Sequence, residues 1–168
     1  MQNIIFIHGL ESSGKGYKGR FFREELPECL TPDFEEYNPE LSIKMLLEKR
    51  MKQLYLILKN KHPWIIIGSS FGALMGALYT CQNPKNVSKL ILLAPYLSTP
   101  ELSPKMYSPV NVPVIVFHGK NDKVVSIKLS RVCAEKLFTN LTYNIVDDDH
   151  FLHKTVKSLD WKKLIKTI

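Results

Sequence analysis

Short apolar segments alternate along this chain with longer segments of helical periodicity, and this alternation most constrains its fold. The segment 64–67, Trp-Ile-Ile-Ile, is apolar throughout, as is typical of a strand buried on both faces. Strands that alternate with helices predict an α/β fold, a mainly parallel sheet of about six strands with helices on both faces. The predicted strands are 3–7, a short one near 28–31, 64–67, 89–93, 114–117 and 142–146. The predicted helices are 17–26, 42–60, 71–83, 126–138 and 152–165.

The length of the chain and the positions of its prolines bear on its domain organisation. A chain of 168 residues is typical of one domain, so we expect residues 1–168 to form a single α/β domain. Prolines recur through residues 95–113, which predicts a structured loop there instead of a helix. This loop is the one candidate for a short cover over a site, and no segment is long enough for a separate cap domain.

Composition narrows the classes of partner and cofactor. The net charge is +7, but the lysines are spread over helix 42–60 and the C-terminal region, without interleaved aromatic residues, so no nucleic-acid partner is expected. No apolar run approaches the ~20 residues that span a membrane, and the first strand lacks a basic leader, so we expect a cytoplasmic protein without membrane contact. Cys29, Cys81 and Cys133 lack metal-ligand or redox-motif spacing, and neither a metal nor an organic cofactor is expected.

The pentapeptide Gly68-Ser69-Ser70-Phe71-Gly72 lies between the apolar strand 64–67 and the predicted helix 71–83. It fits the pattern G-x-S-x-G at a strand-to-helix turn, which makes Ser70 the candidate nucleophile. A tight turn lifts the serine hydroxyl out of the fold. Side chains at positions 68 and 72 would collide with the neighbouring helix or strand, and glycine at both positions removes those clashes. An ordinary strand-helix turn is the alternative interpretation of the pentapeptide alone.

Two further polar groups follow predicted strands. Asp122 lies in the segment His-Gly-Lys-Asn-Asp after strand 114–117, and His150 follows strand 142–146. Because the carboxyl ends of parallel strands lie at one edge of a sheet, Ser70, Asp122 and His150 are expected to meet there. A serine nucleophile needs a general base, and the base needs a carboxylate that orients it.

Other residues near these candidates could take the same roles. His153 is a rival base three residues beyond His150, and each aspartate of 147–149 is a rival to Asp122, although all three lie close to His150 in sequence. His8 and His118 are expected to support loops instead of reacting. Asp122 alone could shape its turn, and His150 could cap the following helix.

The order Ser70, Asp122, His150, with these strand contexts, resembles the α/β-hydrolase superfamily over nearly the whole chain. His8-Gly9, at the end of the first strand, is similar to the oxyanion loop of that family. The short length resembles small lidless bacterial esterases of the YqiA-like kind. The resemblance implies a minimal α/β-hydrolase fold without a cap domain. It also implies a serine hydrolase acting on small acyl esters or thioesters.

The resemblance assigns each residue of the predicted site a role in acyl transfer. The Ser70 hydroxyl would attack the acyl carbon, His150 would relay the proton, and Asp122 would hold the imidazole tautomer. The backbone N–H groups of Phe71 and Leu10 are the expected oxyanion donors. The loop-supporting residues are expected to be His8, Gly9, Gly68 and Gly72.

Two alternative functions compete with this interpretation. Residues Gly9 to Lys15 fit the phosphate-binding pattern G-x-x-x-x-G-K, which would indicate a nucleotide hydrolase. Gly16 stands where that pattern needs a serine or threonine for magnesium, and Glu11 would place a negative charge in the loop. The other alternative is a non-catalytic binding protein with the hydrolase fold, since fold alone does not guarantee an activity.

Overall fold

The computed structural model describes residues 2–166, which form a six-stranded sheet with helices around it. The strands are β1 (Asn3–Ile7), β2 (Cys29–Leu30), β3 (Trp64–Ser69), β4 (Val87–Leu93), β5 (Val114–Gly119) and β6 (Leu141–Val146). The helices are α1 (Tyr17–Glu25), α2 (Ile43–Leu58), α3 (Phe71–Gln82), α4 (Ile127–Leu137), α5 (His153–Ser158) and α6 (Trp161–Leu164). Short 3₁₀ turns lie at Pro84–Asn86, Pro100–Leu102 and Pro104–Met106.

Every neighbouring pair of strands in this sheet is parallel, and the strand order is β2-β1-β3-β4-β5-β6. The carboxyl ends of all the strands therefore lie at the same edge, which is where parallel sheets place their ligands. This arrangement confirms the predicted fold class.

Side chains from alternate strand positions build one core on each face of the sheet. Ile5 and Ile66 belong to the core that packs against α2, α3 and α4. Ile4 and Ile65 belong to the core that packs against α1, α5 and α6. Both faces of the central strands are covered, which explains why these segments are apolar throughout.

The prediction of one helix over 152–165 is wrong, because the chain forms two short helices there. Leu159 is extended (φ −79°, ψ 141°) and ends α5. The Asp160 side chain then accepts a hydrogen bond from the Lys163 N–H at 3.0 Å and caps α6. The break turns Trp161 into the core, where its ring packs edge-on against Phe22 at 4.6 Å between centroids.

Residues 95–113 form the structured loop that their prolines predict. Leu97 and Leu102 from this loop are fully buried, and the Cys133 thiol of α4 donates to the Leu97 carbonyl at 3.4 Å. No part of residues 2–166 forms a cap domain. Within the same residues, no helix combines the length and the apolar character that crossing a bilayer requires.

Candidate active site

Ser70 occupies a sharp turn between β3 and α3. Its backbone lies at φ 55° and ψ −110°, a region that a side chain adopts only under strain. Two long-range bonds hold the turn: the Ser70 N–H donates to the Leu93 carbonyl at 2.9 Å, and the Tyr96 N–H donates to the Ser70 carbonyl at 3.3 Å. The strained backbone lifts the hydroxyl to the carboxyl edge of the sheet.

The glycines on either side of this turn allow backbones to approach closely. A Cβ on Gly68 would lie 2.5 Å from the Gly72 carbonyl oxygen, at the start of α3. A Cβ on Gly72 would clash with the Ile7 carbonyl oxygen and lie 2.5 Å from that of His8. Since backbone atoms surround both positions, neither clash is relieved by rotating a side chain.

The structure brings Ser70, His150 and Asp122 into one hydrogen-bonded chain. The Ser70 Oγ lies 3.1 Å from the His150 Nε2, and the His150 Nδ1 lies 2.7 Å from the Asp122 Oδ2. An ionised carboxylate only accepts hydrogen bonds, so the His150 Nδ1 carries the proton. The Nε2 lone pair is then free to accept the serine proton. The Asp122 side chain is fully buried, whereas 13% of the His150 side chain is exposed.

The Asp122 carboxylate accepts four hydrogen bonds, two at each oxygen. Its Oδ1 accepts from the backbone N–H groups of Val124 and Val125, both at 2.8 Å, and its Oδ2 accepts from His150 and His118. Burial alone raises the pKa of Asp122, but the bonds from Val125, His150 and Val124 outweigh it and hold the pKa below its usual value. The group is therefore an anion at neutral pH.

His118, which the sequence analysis expects to support a loop, is bonded directly to the Asp122 carboxylate. Its Nε2 lies 3.0 Å from the Asp122 Oδ2, and its Nδ1 lies 2.7 Å from the Tyr143 hydroxyl. The Nε2 therefore donates to Asp122, and the Nδ1 accepts from Tyr143. Burial lowers the pKa of His118 despite the neighbouring carboxylate, so the ring is neutral. Its signal in the sequence was a histidine at a strand end, four residues before the acid.

The rival residues are engaged elsewhere. The His153 ring stacks on Tyr17, with 4.0 Å between ring centroids. The three rival aspartates have the following partners: Asp147 pairs with Lys120 at 2.9 Å, Asp148 accepts from the Thr155 N–H at 2.8 Å, and Asp149 accepts from the Phe151 N–H at 2.9 Å. None of these side chains is hydrogen-bonded to Ser70 or His150.

The loop after β1 lies directly beside the serine. A Cβ built on Gly9 would be 3.7 Å from the Ser70 Cβ. The buried His8 ring holds this loop, because its Nδ1 donates to the Gly9 carbonyl at 2.8 Å while its Nε2 accepts from the Phe34 N–H at 3.0 Å. Within residues 2–166, the N–H groups of Leu10 and Phe71 donate to no protein acceptor. The two N–H groups expected as oxyanion donors are thus not engaged by the protein itself.

The geometry of the first loop does not support the nucleotide-binding alternative. The Gly14 N–H donates to the Asp33 carboxylate at 2.8 Å, so an acidic group already takes a donor that a phosphate would need. Arg23 binds the Gly14 carbonyl at 2.7 Å and holds this part of the loop against α1. Over residues 2–166, no three His, Cys, Asp or Glu side chains are grouped as metal ligands.

Comparison with known proteins agrees with this architecture. The family model described as alpha/beta hydrolase fold matches residues 43–110, which include the Ser70 turn. Comparison with curated protein sequences gives no match.

Solved structures with the same fold cover almost the entire chain. Alpha/beta hydrolase domain-containing protein 10 from mouse is 19% identical, with a TM-score of 0.72, over 96% of this chain and 90% of that one. Est1E from Butyrivibrio proteoclasticus, solved with ferulic acid bound, is 16% identical, with a TM-score of 0.74. The match covers 99% of this chain and 90% of Est1E. An esterase of Pyrococcus furiosus is also 16% identical, with a TM-score of 0.74. That match covers 98% of this chain and 80% of the esterase.

The family match and these likenesses show that the chain has the fold of the α/β-hydrolase superfamily. The resemblance at the level of the superfamily is confirmed. The finer likeness to small lidless esterases of the YqiA-like kind stays a prediction, since every structure described above is less than 25% identical.

Proposed function

We propose that this protein is a serine hydrolase that cleaves small acyl esters or thioesters through an acyl-enzyme intermediate. The observation that carries the proposal is the chain of hydrogen bonds from Ser70 through His150 to Asp122, at 3.1 Å and 2.7 Å. These distances lie within the reach that proton transfer between nucleophile and base requires.

The reaction follows from the roles of these groups. Ser70 Oγ attacks the acyl carbon while the His150 Nε2 takes the serine proton. The negative oxygen of the tetrahedral intermediate accepts from the N–H groups of Leu10 and Phe71. His150 then gives its proton to the leaving oxygen or sulfur as that bond breaks. Water attacks the acyl-enzyme with His150 as base, and Ser70 regains its proton. Asp122 stabilises the imidazolium in each half-reaction without being protonated.

The surroundings of the triad favour an acyl substrate. Two apolar side chains next to the triad residues are exposed, Val124 at 69% and Phe151 at 58%. Their apolar surface would be covered by the hydrocarbon part of an acyl group. Esterases occur among the structures that share this fold, and one of them holds an aromatic acid. A cytoplasmic location and the lack of a nucleic-acid or membrane partner stay predictions from the sequence.

The primary test replaces the nucleophile. We expect Ser70→Ala to abolish hydrolysis of p-nitrophenyl acetate and butyrate and of the matching thioesters, because no other hydroxyl is hydrogen-bonded to His150 among the described residues. Ser69→Ala is the matched control, since it removes the same group one position away and should keep most of the activity. Circular dichroism verifies that both variants fold. Full activity in Ser70→Ala would refute the proposal.

A non-catalytic binding protein with this fold is separated from an enzyme by active-site labelling. A fluorophosphonate reacts rapidly only with an activated serine. We expect mass spectrometry to find a single adduct on Ser70. No adduct on a folded wild-type protein would favour the binding protein.

A further inference from the structure

Arg50 lies inside the protein, on the face of α2 that packs against the sheet, and its side chain is fully buried. All three of its nitrogens donate to backbone carbonyls. The Nη1 binds the Gly9 carbonyl at 3.1 Å, the Nη2 binds the Leu10 carbonyl at 2.8 Å, and the Nε binds the Glu35 carbonyl at 2.8 Å. The guanidinium also lies 5.4 Å from the centroid of the Phe71 ring. It thus contacts Leu10 and Phe71, the two residues proposed to supply the oxyanion donors.

The bond to the Gly9 carbonyl determines the direction of the Leu10 N–H. The Gly9–Leu10 peptide is trans, so its C=O and its N–H point in opposite directions. The Gly9 oxygen accepts from Arg50 on one side and from His8, at 2.8 Å, on the other. The Ser12 N–H adds a longer bond to the same oxygen, at 3.4 Å. These bonds resist rotation of the peptide plane, and the Leu10 N–H is directed away from Arg50. A carbonyl bound to a cation is also more polarised, which strengthens the donor at the other end of the same peptide.

The charge of Arg50 is not balanced by an ion pair within residues 2–166. Glu35, which offers Arg50 its backbone carbonyl, directs its side chain to Lys49 at 3.4 Å instead. Burial lowers the pKa of Arg50 to about 10, and the group remains a cation at neutral pH. A buried cation without an anionic partner costs stability, and negative charge that develops nearby offsets that cost.

We propose that Arg50 is a positioning residue for the oxyanion site, where it fixes and polarises the Gly9–Leu10 peptide so that the Leu10 N–H stabilises the tetrahedral intermediate. This inference rests on the proposed hydrolase function. Arg50 acts through the loop and does not touch the substrate. Its contribution belongs to the transition state more than to the bound substrate.

Steady-state kinetics of Arg50→Met and Arg50→Lys test the proposal. Arg50→Met should lower kcat about 10- to 100-fold, since losing an oxyanion donor outright costs 10²- to 10³-fold. KM should change less than about threefold, because the bound ester carries no negative charge. Arg50→Lys keeps the charge but loses the planar fork that reaches both carbonyls, so its loss should be intermediate. Lys52→Met is the matched control, because it removes one charge from the exposed face of the same helix.

A transition-state analogue separates positioning from a purely structural role. Butylboronic acid adds to the serine as a tetrahedral anion, so its inhibition constant should rise in proportion to the loss of kcat/KM. Thermal melting is measured in parallel, and Arg50→Lys carries the test if Arg50→Met does not fold. A variant that melts lower but keeps kcat and boronate affinity within threefold of Lys52→Met overturns the proposal.

The amide NMR signal of Leu10 makes the test independent of activity. Loss of Arg50 should shift this signal more than the signals of the other loop amides. If the wild type hydrolyses no ester, the proposed function fails, and the Leu10 signal alone decides whether Arg50 orients the peptide. An unchanged Leu10 signal in a folded Arg50 variant overturns the positioning role, whatever the activity.

Discussion

At the scale of single residues, the state of two histidines depends on the Asp122 carboxylate. Its Oδ1 is engaged by the backbone N–H groups of Val124 and Val125, while its Oδ2 accepts from His150 and His118. An asparagine here would keep its carbonyl oxygen on the backbone side and turn its NH₂ toward the rings. The NH₂ group and the ring N–H groups are both donors, so both rings would have to change tautomer.

Asp122→Asn is therefore expected to inactivate the protein without unfolding it. In the changed tautomer the His150 Nε2 carries a proton toward the Ser70 Oγ and no longer accepts one. The expected fall in kcat is about 10⁴-fold, the loss known for this substitution in serine-protease triads. Ester hydrolysis and the imidazole N–H resonances report the loss and its cause. Activity within tenfold of wild type would show that Asp122 does not set the tautomer.

The sequence predicted that Ser70, Asp122 and His150, the residues of the proposed triad, lie close together, because each follows a strand and the carboxyl ends of parallel strands lie at one edge. Their side chains are hydrogen-bonded in the structure. Arg50 was not predicted, because its partners Gly9 and Leu10 are about forty residues away, and a lone arginine on a helix usually faces water. A signal was nevertheless present: Arg50 lies midway between Leu46 and Leu54, on the apolar stripe of the helix. A charged residue in an apolar stripe indicates a buried partner.

At the scale of elements, the close packing of α3 against the sheet holds Ser70 in place. A methyl group at Gly72 would meet the carbonyl oxygens of Ile7 and His8, so α3 would have to move away from β1. We expect Gly72→Ala to lower the free energy of unfolding by roughly 1–3 kcal/mol, the usual range for overpacking. The variant should also lose fluorophosphonate labelling of Ser70, because the turn and the β1 loop separate.

Gly76→Ala is the matched control for that prediction. It makes the same change one turn later in α3, where the added methyl group would meet side-chain methyl groups of Ile66 and Leu90 at 2.9 Å and 3.3 Å. Side chains give way more easily than backbone, so urea unfolding should find a smaller loss of stability, and labelling should persist. Equal effects from both variants would contradict the prediction that close packing of α3 at Gly72 holds Ser70 in position.

The alternation of strands and helices was predictable because each element has a characteristic local spacing of apolar residues. The break in the C-terminal helix was not, because residues 152–165 have helical spacing throughout. There the cap at Asp160 and the burial of Trp161 against Phe22 stabilise the break more than an uninterrupted helix would stabilise this segment. Local periodicity thus predicts that an element exists, while tertiary packing decides where it is interrupted.

At the scale of the whole molecule, the parallel sheet gathers residues that are far apart in the chain. Ser70 and His150 are separated by 80 positions, yet their side chains are hydrogen-bonded. The same convergence buries His8, from the end of β1, and His118, from β5, at this edge of the sheet. Stability and the candidate site therefore share a dependence on neutral histidines.

This dependence predicts that the protein loses stability as the pH falls below about 6.5. Burial lowers the pKa of His8 and His118, so in this range the unfolded chain binds protons that the folded chain does not. The free energy of unfolding then rises with pH, and each ring accounts for a loss of up to about 2 kcal/mol between pH 7 and pH 5. Asp122 adds nothing here, because its lowered pKa weakens the fold only below about pH 4. Urea unfolding from pH 5 to 8 should show a smaller slope for His8→Gln, while His62→Gln, at an exposed site, should keep the wild-type slope. A free energy of unfolding that is constant between pH 5 and 6.5 would mean that both buried rings accept protons in the folded state.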